Sequence, residues 1–232
     1  MAPTPLSSRK HFIKVPTNTL IEELEQVNTD TGRYYKTPAG ELYPSVTTVT
    51  GLMNKASIQK WRQKVGEEEA NKISNAASTR GTRIHQLCED YINGTELDYN
   101  KYTCTDIDNW TQLKKVIDQN IDNVHLQETR LFSKYLKMAG TVDCIAEFDG
   151  KLSVVDFKTA RKAKDKSYIT NYFCQASAYA IMYEELFGIP VGQTAIVISV
   201  DNDDVQVFVE RRDNYVKPLL EVREQYRALY NI

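Results

Sequence analysis

Residues 140–158 read GTVDCIAEFDGKLSVVDFK, and the Asp149-Gly150 pair in their middle decides how the rest is arranged. Asp-Gly between two apolar runs is a strong signal for a two-residue type I′ hairpin loop. With that loop, Phe148 pairs with Lys151, and counting outward puts Asp143 directly opposite Asp156. Opposed residues hold their Cβ atoms roughly 4.5–5.5 Å apart, where like charges repel. Strand alternation puts Lys158 on the face of Asp156. Two carboxylates forced together beside an ammonium describe a site for a divalent cation, with the lysine aimed at whatever the metal activates. That chemistry suits phosphodiester hydrolysis.

Asp-x-Lys by itself carries little weight, because an exposed pair of this kind is commonly a weak surface salt bridge. The opposed second aspartate distinguishes this chain, since it costs stability unless a cation compensates, although a bulge would shift the register. On one face of the hairpin lie Ile145, Leu152 and Val154 with Asp143, Asp156 and Lys158; on the other lie Val142, Cys144, Ala146, Phe148, Val155 and Phe157. Both faces are largely apolar, so the hairpin belongs to a sheet covered on both sides.

Around it, the pattern alternates helices and strands. Val124–Phe132 reads as a preceding strand, Tyr172–Phe187 as a helix ended by Gly188 and Pro190, and Thr194–Val200 and Val205–Glu210 as two further strands. Asp213–Tyr230 closes the chain as an amphipathic helix with Val216, Leu219, Leu220 and Leu229 inward. Upstream, Tyr34-Tyr35 and Glu41-Leu42-Tyr43 flank a turn at 37–40, and residues 44–49 read as extended before Gly51. A helical pattern begins near Ser57 and continues to Thr79 with too few apolar residues to be buried, as in a protruding lid. Another helix starts near Gly81 and runs to Ile92; 94–107 is a polar loop, and Ile107–Asn120 an amphipathic helix. The expected fold class is α/β, a three-layer α/β/α arrangement with a central mixed β-sheet and an N-terminal helical segment.

The chain has 232 residues and a formal net charge of −2, so its overall charge does not announce nucleic acid. No apolar run is long enough to span a bilayer. Residues 1–16 lack the apolar core of a secretory signal; Arg9, Lys10 and Lys14 precede any acid, but the stretch is too short and Pro-broken for a transit peptide. Cys88, Cys104, Cys144 and Cys174 form no C-x-x-C pair and no zinc-like spacing, which points to free thiols in a reducing, cytoplasmic compartment.

Four further groups are candidates. His85 shares a helix face with Glu89 and with Gly81; Gly in a helix interior costs roughly 1 kcal/mol, so Gly81 either begins the helix or serves the site. Glu128 is either a further carboxylate or a solvated strand residue. Gln175 and Tyr179 make an i, i+4 polar pair that either completes a core edge or contacts a phosphate or bound water. Residues 159–166, TARKAKDK, place Arg161, Lys162, Lys164 and Lys166 against one acid directly after Lys158. They form either a solvated loop or a phosphate contact.

Taken together, Gly81-x-x-x-His85, Gly140-Thr-Val-Asp143, Asp156-Phe-Lys158 and Gln175-x-x-x-Tyr179 resemble the RecB-like exonuclease branch of the PD-(D/E)XK nuclease superfamily. Tyr43-Pro-Ser-Val-Thr-Thr48 is similar to the lead-in of the mitochondrial genome maintenance exonuclease family and its phage-encoded relatives. The resemblance implies a restriction-endonuclease-like core and a single nuclease domain over 1–232, with 1–54 a hairpin and extended segment and 55–92 a helical lid and His-bearing helix. It implies hydrolysis assisted by Mg²⁺ or Mn²⁺. The metal ligands would be His85, Asp143, Asp156 and the Phe157 main-chain carbonyl, with Glu89 or Glu128 as a further candidate. Lys158 would orient and help deprotonate water, and Gln175 and Tyr179 would shape the site. The implied partner is DNA, read as single-stranded and entering by its ends, in replication, recombination or repair, in a phage setting. Trp61, Tyr168 and Tyr172 are candidates for stacking on bases. Some RecB-like relatives hold an iron–sulfur cluster on a late cysteine group that this chain lacks, so no such cluster is expected.

Overall fold

The computed structural model describes residues 10–17 and 19–232; residues 1–9, on which most of the leader-peptide reading rests, lie outside the described residues, as does Asn18. Strands β1 (Glu25–Thr29), β2 (Gly32–Lys36) and β3 (Leu42–Pro44) form a small antiparallel sheet. The expected β2–β3 hairpin is there, and β1 joins it through a turn at Asp30-Thr31 that its polar sequence conceals. Residues 46–50 are not extended: Val46–Thr50 is helix α1. The Ser45 side chain accepts from the Thr48 N–H, and Val46 and Val49 are fully buried, so a cap and core contacts override the β-branched preference.

Helix α2 (Leu52–Val65) has no buried residue, and α3 (Glu67–Ile92) follows it after a break at Gly66, whose φ of 87° suits glycine. This corrects the expected boundaries twice. The lid is two helices rather than one, and Gly81 lies inside α3 rather than at its start. Helix α4 (Cys104–Asn120) begins at a reciprocal capping box between Thr103 and Asp106.

The main sheet runs β4 (Ile121–Ser133), β5 (Met138–Phe148), β6 (Lys151–Ala160), β7 (Gln193–Val200), β8 (Gln206–Arg211), in that order. All neighbours are antiparallel except β6 and β7, which are parallel because helix α5 (Thr170–Phe187) makes the crossover between them. Phe148 pairs with Lys151 across the Asp149-Gly150 turn, as expected. Helix α6 (Asp213–Tyr230) packs beside α1 and α5.

The result is three layers. On one side of the sheet, α1, α5 and α6 pack onto Ile145, Val154, Ile196 and Ile198; on the other, α3 and α4 pack onto Cys144, Val155, Phe157 and Val197. Ala176, Ser177, Ala178 and Ala180 of α5 are fully buried, as small residues allowing close approach to a sheet must be. In α6 the inward positions are Leu219, Val222, Arg223 and Tyr226; Leu229, expected inward, is exposed because the stripe drifts around the helix. Residues Ile13–Val15 bond to Val124 on the outer edge of β4.

Candidate active site

Strand β5 and its edge neighbour β4 change face at the site. In β5, Val142 and Ile145 pack into the same layer although three apart, and in β4 so do Leu126 and Leu131, five apart. Strict alternation would place each pair on opposite faces, which corrects the expected placement of Val142 with Cys144. Glu128 adopts a φ of 45° at this point, an uncommon conformation for a residue other than glycine. Gln127 pairs with Cys144 and Thr129 with Val142, so the register sets Glu128 beside Asp143. On the other flank, paired positions end at Cys144 and Val155. One step further, where Asp143 would pair with Asp156, the Phe157 N–H donates to Asp143 Oδ2 at 2.9 Å. Three adjacent strands thus bring Glu128, Asp143 and Asp156 together where β5 and β6 part.

Helix α3 supplies the fourth group. His85 Nδ1 lies 3.6 Å from Asp143 Oδ2. His85, Glu128 and Asp143 each offer a ligand atom within 4.8 Å of the others, a candidate metal site. Gly81, Thr82, Gln86 and Glu89 line the same open cleft of about 330 Å³. A Cβ on Gly81 would meet only Thr159 Oγ1, at 3.9 Å. No packing constraint demands glycine there, so the helix cost of Gly81 leaves space above the sheet end rather than relieving a clash.

Asp156 is 2% exposed, and its Oδ2 is held by Lys158 Nζ at 2.5 Å in a buried ion pair. Burial, offset in part by Lys158 and reinforced by Asp143, pushes the Asp156 acid up to about 6. Burial likewise raises Glu128, with Asp143 and Glu89 adding repulsion, to about 8. Burial opposes the charge of Lys158, but Asp156 and Asp143 outweigh it and hold the ammonium above its ordinary value. The Tyr172 ring covers Lys158, its centroid 5.3 Å from Nζ.

Gln175 and Tyr179, one turn apart on α5, are both buried beside this cluster. Gly140 makes the room: a Cβ there would sit 2.6 Å from the Tyr179 hydroxyl and 3.1 Å from its ring. Burial, with Asp143 and Asp156 nearby, raises the Tyr179 phenol well above its ordinary value.

A model of the PD-(D/E)XK nuclease superfamily matches residues 107–228, just over half of the chain. The chain belongs to this superfamily. Among curated proteins, it is 26% identical over 129 residues to mitochondrial genome maintenance exonuclease 1 of Homo sapiens, covering 52% of this chain and 38% of that protein. It is 28% identical over 170 residues to the Xenopus tropicalis protein of the same name, covering 67% and 48%. The chain therefore spans less than half the length of these relatives. A solved structure of a candidate exonuclease from Eubacterium rectale aligns over 64% of each chain with 12% identity and a TM-score of 0.46.

PD-(D/E)XK nucleases use divalent metals, and the donor set here fits one. Carboxylate oxygens with one imidazole suit Mg²⁺ or Mn²⁺. Two neighbouring acids, Asp156 and Glu128, raised by burial and by the Asp143 charge, are what such a cation would relieve. The superfamily match covers Glu128, Asp143, Asp156, Lys158, Gln175 and Tyr179; His85 lies upstream of it. Glu89 lines the cleft without joining the close cluster, whereas Glu128 joins it.

The outer candidates are less alike. Tyr168 is 78% exposed, Tyr172 half-buried over Lys158, and Trp61 half-buried on α2. The basic loop is anchored rather than free: the Gln206 side chain accepts from the Lys164 N–H and donates to its carbonyl, and Lys166 pairs with Glu210. Arg161, Lys162 and Lys164 keep exposed side chains. Sequence reading also passed over Asp201, which takes Arg80 and Asn109; only its place at the end of β7 pointed to it.

Proposed function

We propose that residues 1–232 act as one divalent-metal-dependent DNA exonuclease domain that takes single-stranded ends. The observation that carries this reading is the convergence of His85, Glu128 and Asp143 within 4.8 Å of one another, beside the Asp156–Lys158 pair. Bound Mg²⁺ or Mn²⁺ would lower the pKa of coordinated water and offset charge on the phosphoryl oxygens. His85, Asp143, Asp156, Glu128 and the Phe157 carbonyl are the residues that would hold it.

The chain's own residues then have distinct tasks. The Phe157 N–H fixes Asp143 Oδ2, so that carboxylate is oriented before any ligand arrives. Lys158 Nζ, held by Asp156 and sheltered by Tyr172, orients the attacking water and holds a proton at its amine. Gln175 and Tyr179 fix the floor under Gly140. Helix α2 carries Lys55, Lys60, Arg62 and Lys64 and no acid, with Arg62 paired to Glu67 of α3, and it has no buried residue. That supports a lid over a polyanionic strand, with Trp61, Tyr168 and Tyr172 stacking on bases. Arg161, Lys162 and Lys164 would meet phosphates beyond the scissile bond, whereas Lys166 is already paired with Glu210.

The exonuclease reading draws on the curated relatives, which carry that activity in their names, whereas the strand preference rests on the motif resemblance and the exposed lid. A role in replication, recombination or repair, in a phage setting, rests on the likeness of Tyr43–Thr48 to the lead-in of phage-encoded relatives. No described helix is long and apolar enough to cross a membrane, and the buried thiols of Cys88, Cys144 and Cys174 fit a reducing cytoplasm. The test uses end-labelled linear and circular DNA, single-stranded and duplex, with Mg²⁺, Mn²⁺ or EDTA. Metal-dependent loss of linear single strands, with circles spared, is the expected result. Cutting of circles would make the enzyme an endonuclease, and no cutting in any metal would make it a binding module.

A further inference from the structure

We infer that Asp201 is the positioning residue for His85, setting where helix α3 delivers its imidazole to the carboxylates. The inference rests on the metal site proposed above and adds to it a residue lying outside the cleft.

Helix α3 is 26 residues long, yet apart from Ala70 none of its residues before Ile84 is buried. His85 therefore sits where the helix passes from solvent into the core, and apolar packing holds it firmly only on the C-terminal side. On the N-terminal side the helix is tied by two arginines. Arg83 forms a forked pair with Asp106 at the start of α4, through Nε at 2.6 Å and NH2 at 3.2 Å. Arg80 NH1 reaches Asp201 Oδ2 at 2.8 Å.

Asp201 is the more telling of the two partners because of what else it holds. Its Oδ1 accepts from Asn109 Nδ2 of α4 at 2.9 Å, and its own N–H donates to the Ala160 carbonyl at 2.9 Å. Ala160 is the last residue of β6, two beyond Lys158. One carboxylate thus links α3, α4 and the ends of β6 and β7, the same strand ends that present Asp156 and Lys158. Arg80 and Asp201 are only 14% and 17% exposed, so the pair is largely withdrawn from solvent and geometrically defined. Arg80 Nε is itself buried without a hydrogen bond among the described residues, and the Asp201 contact through NH1 offsets that burial. Releasing Asp201 lets α3 lift at Gly81, where nothing packs tightly, and moves His85 away from Asp143.

A generally damaging substitution would act whether or not His85 is present, so the test is a double-mutant cycle. Mn²⁺ affinity is measured by titration calorimetry, without DNA, on the wild type, Asp201→Asn, His85→Ala and the double variant. The expected result is a loss of about ten-fold to a hundred-fold in Mn²⁺ affinity for Asp201→Asn, the range for groups that orient a metal ligand. In the His85→Ala background the same change should have no further effect. Equal losses in both backgrounds, or none in the first, overturn the positioning role while leaving the metal site standing. Unchanged affinity in His85→Ala instead overturns the ligand role of His85, and the inference with it. Should Asp201→Asn not fold, Arg80→Gln cuts the same tie from its more tolerant end and is read identically.

Discussion

The β5–β6 hairpin and helix α3 meet at one cleft but are held there by different means. The hairpin carries Asp143, Asp156 and Lys158 on adjacent backbone, with its register fixed by a turn of two residues and its strands buried on both faces. Helix α3 carries His85 on a segment half in solvent, located by polar contacts to residues 23 and 121 positions away in sequence. Local geometry therefore dictates the carboxylate side of the site, and tertiary contacts dictate the imidazole side. Substitutions on the hairpin should strike chemistry directly, whereas those on the helix should act through placement.

The sharpest way to break this contrast is Asp156→Ala. It removes a buried acid and leaves Lys158 without its partner, and cleavage should fall by about three orders of magnitude or more while circular dichroism stays native. Activity within ten-fold of wild type would show that the hairpin carboxylates are structural. Lys158→Ala should cost about 100-fold or more in kcat, the scale of a lost proton-transfer group, and far less in Mn²⁺ affinity. The opposite split would make Lys158 a counter-charge for the two aspartates.

The two glycines that flank the motif sharpen the contrast in stability. Gly140→Ala pushes a methyl against the ring and hydroxyl of Tyr179, which is buried and cannot swing away, so denaturant melts should show a loss of about 1–3 kcal/mol. Gly81→Ala meets open space inside a helix and should gain up to about 1 kcal/mol, with cleavage reduced because the methyl enters the cleft. Matching destabilisation at both positions would mean that α3 is packed as tightly as the hairpin.

These differences explain what could be read from the residues alone. The Asp-Gly turn, the strands on either side of it and the crossover helix were legible because each rests on short-range pattern. The change of face at Glu128 and Asp143 was not, since alternation supposes regular strands and gives no notice of a residue at positive φ. Neither was helix α1, whose β-branched residues favour a strand until Ser45 caps them and the core takes Val46 and Val49. The break at Gly66 was not read, and Gly81, expected near a helix start, lies inside α3, because only tertiary context says which glycine bends. Asp201 lay beyond reach altogether, being a turn residue whose partners are distant in sequence.

Titration separates the two sides more gently. Asp156 and Glu128 are raised in the folded protein to about 6 and about 8, from ordinary carboxylate values near 4. A raised carboxylate binds protons that the unfolded chain releases, so its contribution is full below the unfolded value and is lost as pH rises through the folded one. Metal-free protein should therefore lose stability between about pH 4 and pH 8 on account of these groups. Divalent cations compete with the same protons, so the increase in Tm on adding Mg²⁺ should be larger at pH 8 than at pH 6. A cation effect independent of pH would place the ion elsewhere.

The smallest expected effect concerns the basic loop, which continues directly from the hairpin but depends, like α3, on distant partners. Neutralising Arg161, Lys162 and Lys164 should weaken single-stranded DNA binding and reduce the salt slope by about 2, at roughly 0.7 per phosphate contact. Adding Lys166 to that set should change the slope little, because its charge is already matched by Glu210. Gln206→Ala tests the anchor itself: it keeps every cation but frees the Lys164 backbone, so binding should weaken a few-fold with the slope nearly unchanged. A slope that drops with Gln206→Ala as far as with the triple variant would mean that the anchor creates the phosphate contacts. A slope that moves with neither would leave the loop as solvated surface, and the phosphate-binding face would then lie with the cations of α2.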